Sequence, residues 1–228
     1  MSLLAEMDPD VAYPATASVP DSDLHSRVRF LTYGALREHY AGRGDCYVGQ
    51  DLNIYYRRGH PRAVAAPDVF VCFGVDPESL LNVASYRVWE VGAPPAFVLE
   101  IASKKTFPAD VEVKPQKYLD MGVEEYWRFD PTGGEFFSPI LQAERRADDR
   151  WAPIAVDVDD AGRFIGHSRA LGLDLHAETQ RLRFRDPTTG DPLLDPTEMR
   201  QDRDAAVARA QAAEAELAAL RAALNNQP

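Results

Sequence analysis

At 228 residues, with 45% hydrophobic side chains, the chain is long enough to fill one core and too short for two comfortable domains. A formal net charge of −11 argues against a broad basic face, yet the charge is uneven: residues 1–24 carry five acidic and no basic side chains, and residues 191–228 carry seven acidic and four basic. That leaves residues 25–190 at −3, with 24 acidic and 21 basic side chains, where a local basic groove can still form.

Residues 1–24, rich in Pro, Ala, Ser and Asp without hydrophobic periodicity, read as a disordered or loosely packed arm, with order beginning near Val28. No charged and apolar leader opens the chain and no apolar run has the length of a membrane span, so a cytoplasmic protein with no membrane partner is expected. Leu31, Ala35, Leu36 and His39 fall at helical spacing, and Gly42 and Gly44 stop the pattern, which predicts a short helix over Leu31–Tyr40. Cys46–Tyr56 alternates as one strand, Arg57-Arg58-Gly59-His60-Pro61 makes a turn, and Val69–Phe73 is a strand apolar on both faces. Tyr86–Val91 and Ala96–Ile101 read as two further strands. A helix ending at the Gly122 cap then leads to a strand over Tyr126–Phe129, so strand, helix and strand suggest a crossover unit.

From Glu135 to Phe184 short strands and turns predict a β extension of the same sheet, with Trp151, Ile154 and Val156 facing inward. The domain is thus expected over 25–190. Beyond it, residues 191–228 are alanine-rich, with no glycine or interior proline from Pro196 to Leu224, which predicts a long helix. Leu217, Leu220 and Leu224 follow Ala210 and Ala213 at a/d spacing, a weak coiled-coil seam that admits a homodimer. Cys46 and Cys72 have no Cys/His neighbours at zinc spacing and read as buried thiols in a reducing compartment.

The chemistry concentrates where carboxylates meet strand ends. Glu100 follows Phe97-Val98-Leu99 in a central strand, where an unpaired charge costs several kcal/mol, so it needs a partner. Asp68 opens the strand that starts at Pro67, and if the two strands are neighbours the carboxylates converge at one sheet edge. Close carboxylates repel unless a cation sits between them. Mg²⁺ takes such oxygen ligands and readies water for attack on a phosphodiester. Lys114 and Lys117 are the candidate fixed cations, with Lys104 and Lys105 in the preceding loop. Pro115 favours a helix that starts there, with Lys114 as its N-cap.

Pro67-Asp68, Glu100-Ile101-Ala102-Ser103, Asp110, Lys114, Tyr118, Gly122-Val123, Glu125-Tyr126-Trp127 and Asp130-Pro131 together resemble the Uma-two family, a restriction-endonuclease-like branch of the PD-(D/E)xK nuclease superfamily. The resemblance covers residues 25–185. It implies an α/β (α+β) fold, a mixed sheet flanked by helices. It further implies DNA as substrate and Mg²⁺ as cofactor, with Mn²⁺ admitted, held by Asp68, Glu100 and the Ile101 carbonyl. The superfamily's lysine two places after the acid is Ala102 here, and the family moves its role to the helix, which nominates Lys114, with Lys117 competing. An upstream acid is often present, and Glu38 and Asp51 both qualify.

Plainer readings stand beside these. Asp68 alone is a common turn cap, Glu100 could simply pair with Lys114 or Arg87, and Asp110 could support the helix through Lys114 at i,i+4. Ser103 reads as a strand end whose hydroxyl could reach a site carboxylate. Tyr118 and Trp127 read as packing residues, and Arg57, Arg58 and Arg62 as a solvated hairpin tip or a phosphate-contacting loop. His25, His39, His60, His167 and His176 show no metal spacing and receive no role. The rival to an active enzyme is a nuclease-like fold that no longer cleaves and binds nucleic acid or another protein instead.

Overall fold

Ser22 Oγ accepts a hydrogen bond from His25 N at 3.2 Å, and this cap opens α1 (Asp23–His39), the first element of a computed structural model that describes residues 22–225. The helix therefore starts eight residues before the expected Leu31. Its buried stripe of His25, Val28, Thr32, Ala35 and Leu36 contains two polar residues, which hides it from a reading by hydrophobicity. The expected N-terminal arm lies, up to residue 21, outside the described residues.

The strands are β1 (Cys46–Gln50), β2 (Ile54–Tyr55), β3 (Val64–Ala65), β4 (Val69–Phe73), β5 (Tyr86–Arg87), β6 (Phe97–Ile101), β7 (Glu125–Phe129), β8 (Leu141–Ala147) and β9 (Arg150–Pro153), followed by β10 (Val156–Val158), β11 (Phe164–Ser168), β12 (Leu173–Glu178) and β13 (Arg181–Arg185). The expected strand over Cys46–Tyr56 is two, because Asp51 turns the chain with φ 46°. Aspartate is among the few side chains that tolerate that region. Similarly, the expected strand over Tyr86–Val91 keeps two residues and then becomes a single turn, α2 (Val88–Val91), closed by Gly92 at φ 90°.

One six-stranded sheet has the order β1-β4-β6-β7-β8-β9, and its one parallel step is β6 to β7. The crossover between those strands holds α3 (Phe107–Glu112) and α4 (Lys114–Met121), as a parallel pair requires. Gly122, with φ 90°, caps α4. The α4 helix starts at Lys114 itself, with Val113 as N-cap and Pro115 in the first turn, one residue earlier than expected.

Side chains alternate between the faces of this sheet. Val69, Val71, Phe97, Leu99, Trp127 and Phe129 pack with α1 and with Leu173, Leu175 and Phe184, while Phe70, Cys72, Val98 and Tyr126 pack with Tyr118 and Met121 of α4 and with Ile54 and Tyr86. Only β8 and β9 extend the sheet. Strands β10–β13 form a separate antiparallel sheet laid on its first face, a correction to the expected single sheet. Gly166 makes the close approach: a Cβ there would stand 2.8 Å from Trp127 Cη2. Of the expected inward residues, Trp151, Ile154 and Val156 are half-buried at the margins of the two cores.

The described residues divide into two units between Leu193 and Leu194. The second is α5 (Pro196–Asn225), the long helix that composition predicts. Asp195 Oδ1 accepts from Thr197 N and Glu198 N, and Glu198 Oε2 accepts from Asp195 N at 3.0 Å, a reciprocal capping box. Among the described residues no helix is long and apolar enough to cross a membrane.

Candidate active site

Strands β4 and β6 are antiparallel neighbours with Val69 opposite Leu99, which brings the start of one beside the end of the other. Asp68, just ahead of β4, accepts a hydrogen bond at Oδ2 from Ile101 N at 2.8 Å. Glu100 lies one residue back on β6, with 1% of its side chain exposed. The two expected carboxylates thus meet at one corner of the sheet.

The α3–α4 junction supplies the cation. Lys114 Nζ lies 2.8 Å from Glu100 Oε2 and 2.8 Å from Asp110 Oδ1. Asp110 Oδ2 is buried without a hydrogen-bond partner. One turn on from Lys114, the Tyr118 hydroxyl donates to Glu100 Oε1. Tyr118 is therefore more than packing, and Asp110 belongs to the same cluster. Lys117, the competitor, lines the same cavity, but its Nζ donates to Val64 O at 3.0 Å and not to the carboxylates. Ser103 Oγ pairs with Thr106 Oγ1 at 2.9 Å, closing a local turn instead of reaching a site carboxylate.

From the other side, α1 contributes His25 and Arg29. His25 Nε2 lies 3.1 Å from both oxygens of Asp68, with its side chain 1% exposed. Arg29 Nη1 is 3.7 Å from Asp68 Oδ1 and 3.5 Å from Asp51 Oδ2. Of the two upstream acids, Asp51 faces this corner, whereas Glu38 is exposed near the far end of α1. Histidine spacing gave no hint of His25, because its partner is 43 residues away. The one usable signal was the Ser22-Asp23 helix start, which fixes where His25 falls on α1.

A cavity of about 320 Å³ opens here, and Arg29, Asp51, Asp68, Lys105, Lys114 and Lys117 are among its lining residues. Its wall is the base of the β2–β3 hairpin, whose tip carries the exposed Arg57, Arg58 and Arg62.

Burial pushes the Glu100 carboxyl well above the usual range, and although Lys114 pulls it down, Asp110 and Asp68 push it further up. Asp110 is raised by burial against the pull of Lys114. For Asp68, burial is outweighed by the His25 hydrogen bond and charge, by Lys114 and by Ile101 N, so it is held below the usual range. Burial alone would lower Lys114, but Glu100, Asp110 and Asp68 together raise it. The lysine is a firmly protonated donor.

A sheet corner with paired carboxylates, a lysine and a cavity lined by further basic residues offers oxygen ligands to a hard cation and positive charge to an anionic substrate. The Uma2 family, described as putative restriction endonucleases, matches residues 15–175, and the chain belongs to it. No curated protein matches the chain. A solved structure of a putative nuclease belonging to DUF820 from Anabaena variabilis ATCC 29413 is similar with a TM-score of 0.43 and 13% identity, over 63% of this chain and 75% of that one.

Proposed function

We propose that this protein is a Mg²⁺-dependent endonuclease that hydrolyses phosphodiester bonds of DNA, with Asp68, Glu100 and the Ile101 carbonyl as metal ligands and Lys114 as the catalytic cation. The observation that carries the reading is the convergence of Asp68, Glu100 and Lys114, from three separate elements, at one corner of the sheet, where Asp68 and Lys114 line a cavity and Glu100 is buried behind Lys114. The donor set fits a hard divalent cation. It consists of carboxylate and carbonyl oxygens, and Asp110 Oδ2 is buried and unpartnered beside it. Among the described residues no three His, Cys, Asp or Glu side chains form a closed cage. Two carboxylates completed by carbonyl, water and substrate are what Mg²⁺ commonly accepts, and Mn²⁺ suits the same set.

When bound, the ion supplies Lewis-acid polarisation of the phosphoryl group and a more acidic water. Asp68 stays ionised and holds its oxygens toward the cavity. Lys114, protonated, donates from Nζ to a phosphate oxygen and neutralises charge as it builds there, and does not serve as a base. Arg29, Lys105 and Lys117 set positive charge along the cavity wall for neighbouring phosphates, which offsets the overall acidity of the chain. The unpaired buried thiols Cys46 and Cys72 are compatible with a reducing, cytoplasmic setting.

A second reading, a nuclease fold that binds without cleaving, is favoured by one feature: the Lys114 ammonium is already engaged by both Glu100 and Asp110. Plasmid nicking separates the two. Cleavage that needs Mg²⁺, stops with EDTA and is lost in Glu100→Ala supports the enzyme. Cleavage undiminished in both controls sinks it, and metal-dependent DNA binding without nicking selects the second reading.

A further inference from the structure

Asp68 is gripped from two directions that share no sequence neighbourhood. The backbone N–H of Ile101 donates to Oδ2 at 2.8 Å, and His25 Nε2 stands 3.1 Å from each oxygen. We propose that His25 is a positioning residue, whose Nε2–H fixes the rotation of the Asp68 carboxylate so that its remaining lone pairs face the cavity. The inference rests on the reading of Asp68 as a metal ligand.

Several observations favour a positioning donor over a ligand or a packing residue. The His25 side chain is 1% exposed, whereas Asp68 keeps 12% exposure and lines the cavity, so the imidazole sits behind the carboxylate. Its Nε2 faces both carboxylate oxygens, and an imidazole meeting a carboxylate there, neutral or charged, carries a proton on that nitrogen, so Nε2 donates to Asp68 and has no lone pair to offer a metal on the carboxylate side. No third His, Cys, Asp or Glu among the described residues joins the pair to make a cage. The ring's place is fixed at the helix level: Ser22 caps the His25 amide, and Val28, Ala35 and Leu36 bury the same helix in the core. Arg29 is a weaker candidate for the role, since it stands 3.7 Å from Oδ1 and is shared with Asp51. A carboxylate that ligates a metal is ordinarily held by such an outer partner, and loss of the partner weakens metal affinity about 10–100-fold.

The test compares two amides of different reach in the full-length protein. In His25→Gln the side-chain N–H extends to where Nε2 stands, and in His25→Asn it falls short. Mn²⁺ binding is followed by electron paramagnetic resonance and Mg²⁺ binding by calorimetry, with thermal unfolding in EDTA as the control for folding. We expect His25→Gln to bind Mn²⁺ within about threefold of wild type and His25→Asn about 10–100-fold more weakly. DNA cleavage by His25→Asn should recover at high metal concentration, with KM for DNA unchanged. Wild-type affinity in His25→Asn overturns the proposal, and so does a His25→Gln as weak as His25→Asn. Should His25→Asn fail to fold, His25→Gln decides: retained affinity supports the role and lost affinity overturns it. A wild-type protein that binds neither ion overturns the metal reading of Asp68 and this inference with it, an outcome distinct from failure of the variants alone.

Discussion

The ammonium of Lys114 lies 2.8 Å from Glu100 Oε2, a carboxylate only 1% exposed. Removing one partner of a buried pair strands the other, at a cost of about 3–5 kcal/mol. Lys114→Ala should therefore destabilise the metal-free protein by about that much and abolish cleavage. Lys117→Ala, which loses only a bond to a backbone carbonyl, should cost about 0.5–1.5 kcal/mol. Urea unfolding in EDTA measures both, and equal losses would contradict the assignment. Added Mg²⁺ should return part of the stability of Lys114→Ala, since it restores positive charge beside Glu100 and Asp110.

Asp130 predicts a pH effect. Its burial would raise the carboxyl, but Thr132 Oγ1 and the amides of Thr132, Phe136 and Phe137 donate to it and hold it below the usual range. A folded pKa below the unfolded one contributes stability above the unfolded value of about 3.9, and loses it as pH falls through the folded value. The gap in unfolding free energy between wild type and Asp130→Asn should be widest near neutrality and close progressively below about pH 4. A gap that stays constant from neutral to acid pH would refute the linkage.

Gly166 tests the contact between the two sheets. An alanine Cβ would meet Trp127 Cη2 at 2.8 Å, and Trp127 is fully buried. Overpacking of this kind costs about 1–3 kcal/mol. Thermal unfolding of Gly166→Ala should show the loss, and an unchanged midpoint would mean that the sheets separate more easily than described.

Helix α5 offers a test of assembly. It is 30 residues long and alanine-rich, and it carries exposed Val207 and Leu217. If its weak seam assembles the chain, the full-length protein is a homodimer and becomes a monomer once residues 194–228 are deleted. Solution mass by light scattering decides, and an unchanged mass removes α5 as the assembly element.

How much of this was legible in the sequence depends on the range of the interaction. The centre of the fold was readable because its signals are local: Phe97-Val98-Leu99 is continuously apolar, Gly122 ends a helix, and a parallel pair demands a crossover. Glu100 and Lys114 followed from the same stretch. The hidden parts have buried polar residues or distant partners. Thr32 and His25 disguise the inner face of α1, Asp51 breaks a strand by a backbone angle that composition does not announce, and the second sheet packs closely on the first where Gly166 admits Trp127. Tyr118 was read as packing because only the position of Glu100 in space shows where its hydroxyl goes.

The grip on Asp68 has a consequence for when the site can exist. His25 is 43 residues before it and Ile101 is 33 after it, and the lysine that balances Glu100 comes later still. A cut between α1 and β4 would leave Asp68, Glu100, Ile101 and Lys114 on one piece and His25 on the other, so the corner is complete only once α1 has docked on the sheet.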